Sequence, residues 1–212
     1  DLESTTSSQI KSEASSWTCS RSPKYINTWT YKCGSDFILG GYDIVSGTGS
    51  NYNGHYFQRV YTSNIPPHNQ VKMRIKIFPI DSWDGNQNDG RFSISIDGTN
   101  IGGWIINSMS TSTAPSNICG ILIWKEYPPF TAYITFPHTS TASLTLRVTA
   151  YLDEEAMNES LGFREVVISF ENVDTPSTTL CGKSSTTTLP DKPCPCEDSH
   201  KYMFPSGSGT CL

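Results

Sequence analysis

The feature that most constrains the fold of this chain is a repeated alternation of apolar and polar residues. From Val71 to Phe78 the sequence reads Val-Lys-Met-Arg-Ile-Lys-Ile-Phe, which places apolar side chains on one face of a strand and basic side chains on the other. The same period recurs at 91–98 and 143–149, and residues 121–124 and 166–170 are typical of more fully buried strands. This pattern predicts an all-β fold, an antiparallel jelly-roll-like β-sandwich.

The composition changes along the chain and predicts four parts. Residues 1–16 lack a sustained apolar face and are predicted to be flexible or bound to a partner. The sandwich domain is predicted at 17–174, and a linker rich in Ser, Thr and Pro follows at 175–193. The last segment, 194–212, has little apolar content and is predicted to be a small tail held by disulfides.

Charge and hydropathy exclude two classes of partner. The formal net charge of the 212-residue chain is -5, and its basic residues form no dense patch, so we expect no nucleic acid partner. There is no apolar run of about 18 residues, so no membrane span is predicted.

Seven cysteines are many for a chain of this size, and they lack the Cys-x-x-Cys spacing and paired histidines of a zinc site. They favour an oxidising environment, that is, a secreted or cell-surface protein. Because the number is odd, one thiol is free, paired between molecules, or separated from a partner further along a longer polypeptide, which we favour. The disulfide candidates are Cys19, Cys33, Cys119, Cys181, Cys194, Cys196 and Cys211.

Residues 80–90 carry a dense group of oxygen donors between two predicted strands. Calcium takes six to eight oxygen ligands, and a turn lets short side chains and backbone carbonyls converge on it. The alternative is a polar hairpin turn, because Asp, Asn and Gly are common in turns. The candidate ligands in this loop are Asp81, Asp84, Asn86 and Asp89.

Several motifs occur together and in order over residues 33–181. They are Cys33-Gly34, Ile38-Leu39-Gly40-Gly41-Tyr42, Ile65-Pro66-Pro67-His68, Ile80-Asp81-Ser82-Trp83-Asp84, Ile96-Asp97-Gly98, Cys119-Gly120, Leu152-Asp153 and Asn158-Glu159-Ser160-Leu161-Gly162-Phe163. In these motifs the chain resembles extracellular β-sandwich modules of large secreted and surface proteins of ciliated protists, which have a related signature in bacterial calcium-rich adhesins.

The resemblance implies a jelly-roll-like sandwich with an ion site at the Asp81 and Asp84 turn, completed by Asn158 and Glu159. It also implies adhesion or coat-building rather than catalysis. The residues agree on one point, since two acid-rich loops at 81–89 and 153–159 stand out in a chain of low charge. A shared cation would offset their repulsion. Asn158 also begins an N-glycosylation sequon.

No catalytic constellation is evident, so we predict that the chain is not an enzyme. Asp97 with Glu126 or Glu165 could form a glycosidase pair, but nothing in the sequence singles these residues out. His68 and His138 each follow a proline at the entry to a predicted strand. We expect their rings to bond backbone carbonyls there rather than to bind metal or substrate.

The sequence therefore predicts an extracellular structural or adhesive protein with a calcium-stabilised sandwich. We expect it to form a homo-oligomer or polymer, such as a surface coat or filament. The alternative is a carbohydrate-binding, lectin-like module. Trp83 is expected to anchor the ion loop. The candidates for a glycan-stacking platform are Trp104, Trp124, Tyr52 and Tyr56.

Overall fold

The computed structural model describes residues 2–3, 6–20, 29–45, 54–85, 90–106, 118–121 and 126–173. Within them the chain forms one helix and ten strands. These are α1 (Ser7–Ala14), β1 (Thr18–Cys19), β2 (Thr30–Cys33), β3 (Asp36–Gly40), β4 (His55–Tyr61), β5 (Gln70–Asp81), β6 (Arg91–Ile96), β7 (Thr99–Ile105), β8 (Phe130–Pro137), β9 (Leu144–Tyr151) and β10 (Glu159–Glu171).

The strands form two antiparallel sheets that pack face to face. The first sheet has the order β1-β4-β9-β6-β7, and the second has the order β2-β3-β10-β5-β8. Without the short strands β1 and β2, each sheet has four strands, and the chain crosses repeatedly from one to the other. This is the arrangement of a jelly roll, and the predicted fold class is confirmed.

The alternating segment forms β5, the long central strand of the second sheet. Its apolar positions Val71, Met73, Ile75 and Ile77 are buried in the main core between the sheets. Pairing with β8 on one side and β10 on the other fixes its register. The predicted strand at 121–124 lies largely outside the described residues.

The outward face of β5 is basic, as predicted, but its charges are neutralised within the molecule. Each basic side chain has a carboxylate partner from a different part of the chain. The pairs are Lys72–Glu171 at 2.8 Å, Arg74–Glu3 at 3.3 Å and Lys76–Asp36 at 2.8 Å.

The N-terminal segment differs from the prediction that residues 1–16 are flexible or partner-bound. Helix α1 buries Ile10, and Leu2 is also fully buried in the main core. The Leu2 carbonyl accepts a hydrogen bond from the Glu165 N–H at 3.0 Å, and the Arg164 side chain donates to the Glu3 carbonyl at 3.0 Å. The segment is ordered by contacts with residues distant in sequence, which its own weak amphipathicity does not reveal.

Cys33 and Cys119 form a disulfide that links the end of β2 to residues 118–121. Four of the other candidates, Cys181, Cys194, Cys196 and Cys211, lie outside the described residues, as do the predicted linker at 175–193 and tail at 194–212. The chain divides into two compact units, Asp1–Val173 and Asp174–Leu212, and the sandwich occupies the first. In the part of the chain that the structure describes, no helix is both long enough and apolar enough to cross a membrane.

Candidate functional site

The two acid-rich loops are neighbours at one end of the second sheet. Asp81, the last residue of β5, pairs in register with Glu159, the first residue of β10. The Ser82 N–H and hydroxyl both donate to the Asn158 carbonyl, at 3.0 and 3.1 Å. The structure thus brings three of the predicted calcium ligands, Asp81, Asn158 and Glu159, close together.

The Asp81 carboxylate is buried and holds the chain around residue 120. Its Oδ1 accepts the Ile121 N–H at 3.0 Å. Gly120 has a φ of +82°, and a Cβ at this position would collide with both carboxylate oxygens of Asp81, so the close approach requires glycine. Burial raises the pKa of Asp81 to about 7; the Ile121 hydrogen bond opposes this rise, and the nearby Glu126 charge adds to it.

Glu126 holds the same segment from the other side. Its carboxylate accepts the N–H of Ile118 at 2.7 Å and the N–H of Cys119 at 2.9 and 3.1 Å. Burial raises the pKa of Glu126, and these hydrogen bonds oppose the rise. This role is not predictable from the sequence, because no local pattern shows which backbone amides an isolated carboxylate will meet.

Of the remaining predicted ligands, Asp84 is exposed, and Asn86 and Asp89 lie outside the described residues. Among the residues that are described, no three His, Cys, Asp or Glu side chains lie close enough together to hold a metal ion. The carboxyl and carbonyl oxygens of Asp81, Asn158 and Glu159 are of the type that calcium prefers, so calcium binding stays a prediction.

Trp83 anchors the loop, as expected. It is fully buried, and its indole N–H donates to the carbonyls of Ile80 at 3.1 Å and Ser160 at 3.0 Å. These contacts tie the turn after β5 to the start of β10. Trp83 is therefore a structural residue and presents no face to a ligand.

The two histidines differ in their contacts. His68 Nδ1 lies 2.7 Å from the Pro66 carbonyl, the contact predicted from the sequence. Within the described residues the His138 ring bonds a carboxylate instead of a backbone carbonyl, and its Nε2 lies 2.9 Å from Asp97 Oδ2. The other oxygen of Asp97 accepts the Thr145 N–H at 2.7 Å. Asp97, considered above as half of a glycosidase pair, thus bonds residues that belong to both sheets.

The outer face of the first sheet carries a set of polar and aromatic residues, which we call the Tyr–Arg face. They occupy alternate positions of β4, β9 and β6, between residues that are buried in the main core. Two arginines lie over tyrosine rings, with Arg91 at 3.8 Å from the Tyr151 ring centroid and Arg147 at 4.0 Å from that of Tyr56. The face comprises Tyr56, Gln58, Arg91, Arg147, Thr149 and Tyr151.

An open cleft of about 560 Å³ adjoins this face at the β7 edge of the sheet, and we call it the edge cleft. Trp104 lines it and stacks on Phe92, with ring centroids 4.9 Å apart and planes 13° apart. Of the predicted platform residues, Trp104 therefore borders a cleft and Tyr56 lies under Arg147. Tyr52 and Trp124 lie outside the described residues. The lining residues are Arg91, Phe92, Ser93, Asn100, Gly103, Trp104 and Ile105.

The backbone of β7 shapes this cleft. The register between β6 and β7 shifts between Ile94 and Ser95, next to the Gly102–Gly103 pair. A Cβ at Gly102 would lie 2.9 Å from the Trp104 ring, so glycine leaves room for the indole to fold along the strand. The Asn100 side chain accepts the Gly102 N–H at 3.0 Å and stabilises the irregularity.

Comparisons with family profiles and with curated proteins find no match. The chain is similar to part of a family GH115 4-O-methyl-α-glucuronidase, BtGH115A, at 16% identity and a TM-score of 0.38, over 66% of this chain and 15% of that one. It is similar to the secreted serine protease VesC from Vibrio cholerae at 7% identity and a TM-score of 0.39, over 80% of this chain and 28% of that one. It is also similar to a family 35 carbohydrate binding module from an environmental isolate at 10% identity and a TM-score of 0.32, over 69% of this chain and 99% of that one.

The chain thus spans less than a third of the length of the first two proteins. All three TM-scores are too low to transfer a ligand or an activity to it.

Proposed function

We propose that this chain is an extracellular, non-catalytic adhesive module that binds a glycan in the edge cleft. The observation that carries the proposal is one open cleft at the β7 edge whose lining combines arginine, asparagine and an exposed isoleucine. Apolar surface beside a few polar groups is the usual composition of a ligand site of this size.

The chemistry of the lining suits a sugar. Trp104 pairs in register with Phe92 and packs with it against the main core, so it makes the β7 edge rigid. Arg91 and Asn100 provide hydrogen-bonding groups in the lining of the cleft. Ile105 is 52% exposed and adds apolar surface at its rim. Such a surface can pack on the apolar face of a sugar ring and bond its hydroxyls.

The Cys33–Cys119 disulfide supports an extracellular location, because disulfides persist in oxidising compartments. In this proposal the module adheres by binding glycans at a rigid surface. Calcium at the Asp81 and Glu159 loops would have a stabilising role, since Asp81 ends β5 and Glu159 begins β10, and the edge cleft lies between β6 and β7.

The test is a glycan array followed by titration calorimetry of the glycans bound. Ile105→Glu is the informative variant, because residue 105 pairs directly with Arg91 and a carboxylate there fills the cleft and neutralises the guanidinium. Tyr133→Glu is the matched control, since Tyr133 is 76% exposed and pairs directly with Arg74 in the second sheet. We expect Ile105→Glu alone to abolish binding. An array without any bound glycan, or equal losses in both variants, would refute the proposal.

A further inference from the structure

We infer that the glycan bound by this module is acidic, and that Arg91 and Arg147 bind its carboxylate or sulfate groups along the Tyr–Arg face. The inference rests on the proposed function and adds the chemical class of the ligand and the direction in which it lies. Three features of the described residues support it: the lack of acidic partners for these arginines, the way they are held, and their spacing.

The two arginines differ from the basic residues of the opposite sheet. There, Lys72, Arg74 and Lys76 each form a salt bridge. In the part of the chain that the structure describes, neither Arg91 nor Arg147 has a carboxylate partner, and the Tyr–Arg face contains no acidic residue. In a chain with a net charge of -5, the Tyr–Arg face thus carries two positive charges that pair with no described carboxylate.

Aromatic rings hold both guanidinium groups in place. Each group lies over a tyrosine ring, at 3.8 Å for Arg91 and 4.0 Å for Arg147. Gln58 Oε1 also accepts hydrogen bonds from Arg147 Nε at 3.0 Å and Nη2 at 2.7 Å, which leaves Nη1 for a ligand. Little side-chain freedom remains to be lost when an anion binds, and a planar guanidinium can pair with a carboxylate or sulfate through two hydrogen bonds.

The positions of the arginines indicate an extended ligand. Arg91 pairs in register with Tyr151, and Ser95 pairs with Arg147. The arginines are therefore four residues apart along the strands, or about 13 Å at 3.3 Å per residue. Ser93 and Thr149, which pair with each other, lie between them and are buried. A linear glycan parallel to β9 would therefore meet one arginine and then, about 13 Å further along the strands, the second arginine beside the edge cleft.

The test compares acidic and neutral forms of one glycan chain. Oligogalacturonides of increasing length are titrated against the full chain, together with their fully methyl-esterified counterparts, which keep the sugars but lose the charge. A sulfated galactan oligomer without uronate shows whether sulfate can replace carboxylate. We expect the acidic oligomers to bind at least about tenfold more tightly than the esters, with affinity falling as salt rises and growing until the chain spans both arginines.

Arg91→Gln and Arg147→Gln are each expected to weaken binding of the acidic oligomers about tenfold and to flatten the salt dependence. Arg74→Gln makes the same change on the opposite sheet and should leave the affinity for the acidic oligomers and its salt dependence unaltered. Thermal melts check that all three variants are folded. Equal binding of acidic and esterified chains would overturn this inference but leave glycan binding intact. The inference would also be overturned if neither Arg91→Gln nor Arg147→Gln weakened binding of the acidic oligomers. If no glycan bound at all, the proposed function itself would be refuted.

Discussion

His68 Nε2 lies 2.6 Å from His138 Nδ1, and the planes of the two rings are nearly parallel, at an angle of 14°. Pro66 O accepts from the other nitrogen of His68, and Asp97 Oδ2 meets the other nitrogen of His138. Each of these three contacts is a favourable hydrogen bond only if one proton lies between its two heavy atoms. The chain of hydrogen bonds joins the start of β5 and the end of β8 to the β6–β7 turn, and so it links the two sheets.

We expect this proton chain to act as one unit. His138→Leu and Asp97→Ala should each lower the free energy of unfolding by about 1–3 kcal/mol, because each leaves a polar partner unsatisfied. Once His138 is absent, the loss of the Asp97 carboxylate should cost less. Urea unfolding of the two single variants and the double variant at neutral pH measures this coupling, which we expect to be about 1 kcal/mol or more. Strictly additive losses would show that the contacts are independent.

The raised pKa of Asp81 predicts a specific pH dependence. In the folded chain this pKa is about 7, whereas the ordinary value is 3.8. Between these two values the folded state binds more protons than the unfolded state, so the free energy of unfolding attributable to Asp81 falls as pH rises from about 4 to about 7. Asp81→Asn, which is neutral at every pH, should remove this slope. Urea unfolding in chelator, compared with wild type at each pH, measures the difference.

The exposed neighbour Asp84 provides the control for this pH dependence. Asp84→Asn removes a carboxylate from the same loop and should leave the slope as in wild type. If Asp81→Asn and wild type show the same slope between pH 4 and 7, the proton is not held by Asp81.

Calcium should raise the melting temperature if the loops that contain Asp81, Asn158 and Glu159 bind it. A ligand that binds only the folded state stabilises it, by about 2.7 kcal/mol at a concentration one hundred times its dissociation constant. The comparison is made at pH 8, above the pKa of Asp81 of about 7, with saturating calcium against chelator. The Asp81→Asn variant should lose the rise in melting temperature caused by calcium. The Glu171→Gln variant, changed at the far end of β10, should retain it. Identical melting curves in calcium and chelator would mean that there is no such site.

The sequence predicted the parts of this structure that depend on local patterns. The period-two alternation of Val71, Met73, Ile75 and Ile77 is determined by the geometry of a single strand, and it correctly identified β5 and the face that it buries. The resemblance to the protist modules implied that the loops at 81–89 and 153–159 share a site, and Asp81 and Glu159 do pair in register. Trp83 was identified as an anchor, since a large aromatic beside a polar turn is usually buried.

The features missed from the sequence depend on register and on distant contacts. Arg91 stacks on Tyr151 only because β6 and β9 pair in a particular register, which neither strand specifies alone. Glu126 holds residues 118–119 through backbone amides, which carry no sequence signature. The N-terminal segment docks through Leu2, Ile10, Ala14 and Trp17; the last three have the i, i+4, i+7 spacing of one helix face, but they are too few to make a sustained apolar stripe.

The N-terminal segment should contribute directly to stability. Ile10 is fully buried in the main core, so Ile10→Ala should lower the free energy of unfolding by about 2–5 kcal/mol. Lys11 is exposed on the same helix, and Lys11→Ala should change it by no more than about 0.5 kcal/mol. Chemical unfolding of the two variants distinguishes a docked helix from a flexible one, since a flexible segment would make both substitutions equally mild.

The Cys33–Cys119 disulfide should be important for stability because it closes a long loop. The two cysteines are 86 residues apart, and replacing both with serine should lower the free energy of unfolding by about 2–5 kcal/mol. They also belong to a small buried cluster with Ile38, Phe78 and Ile80, so the loss includes some packing. Urea unfolding with and without reductant separates the two contributions. Reductant should destabilise wild type by more than the double serine variant; equal effects on both proteins would show that this bond does not stabilise the fold.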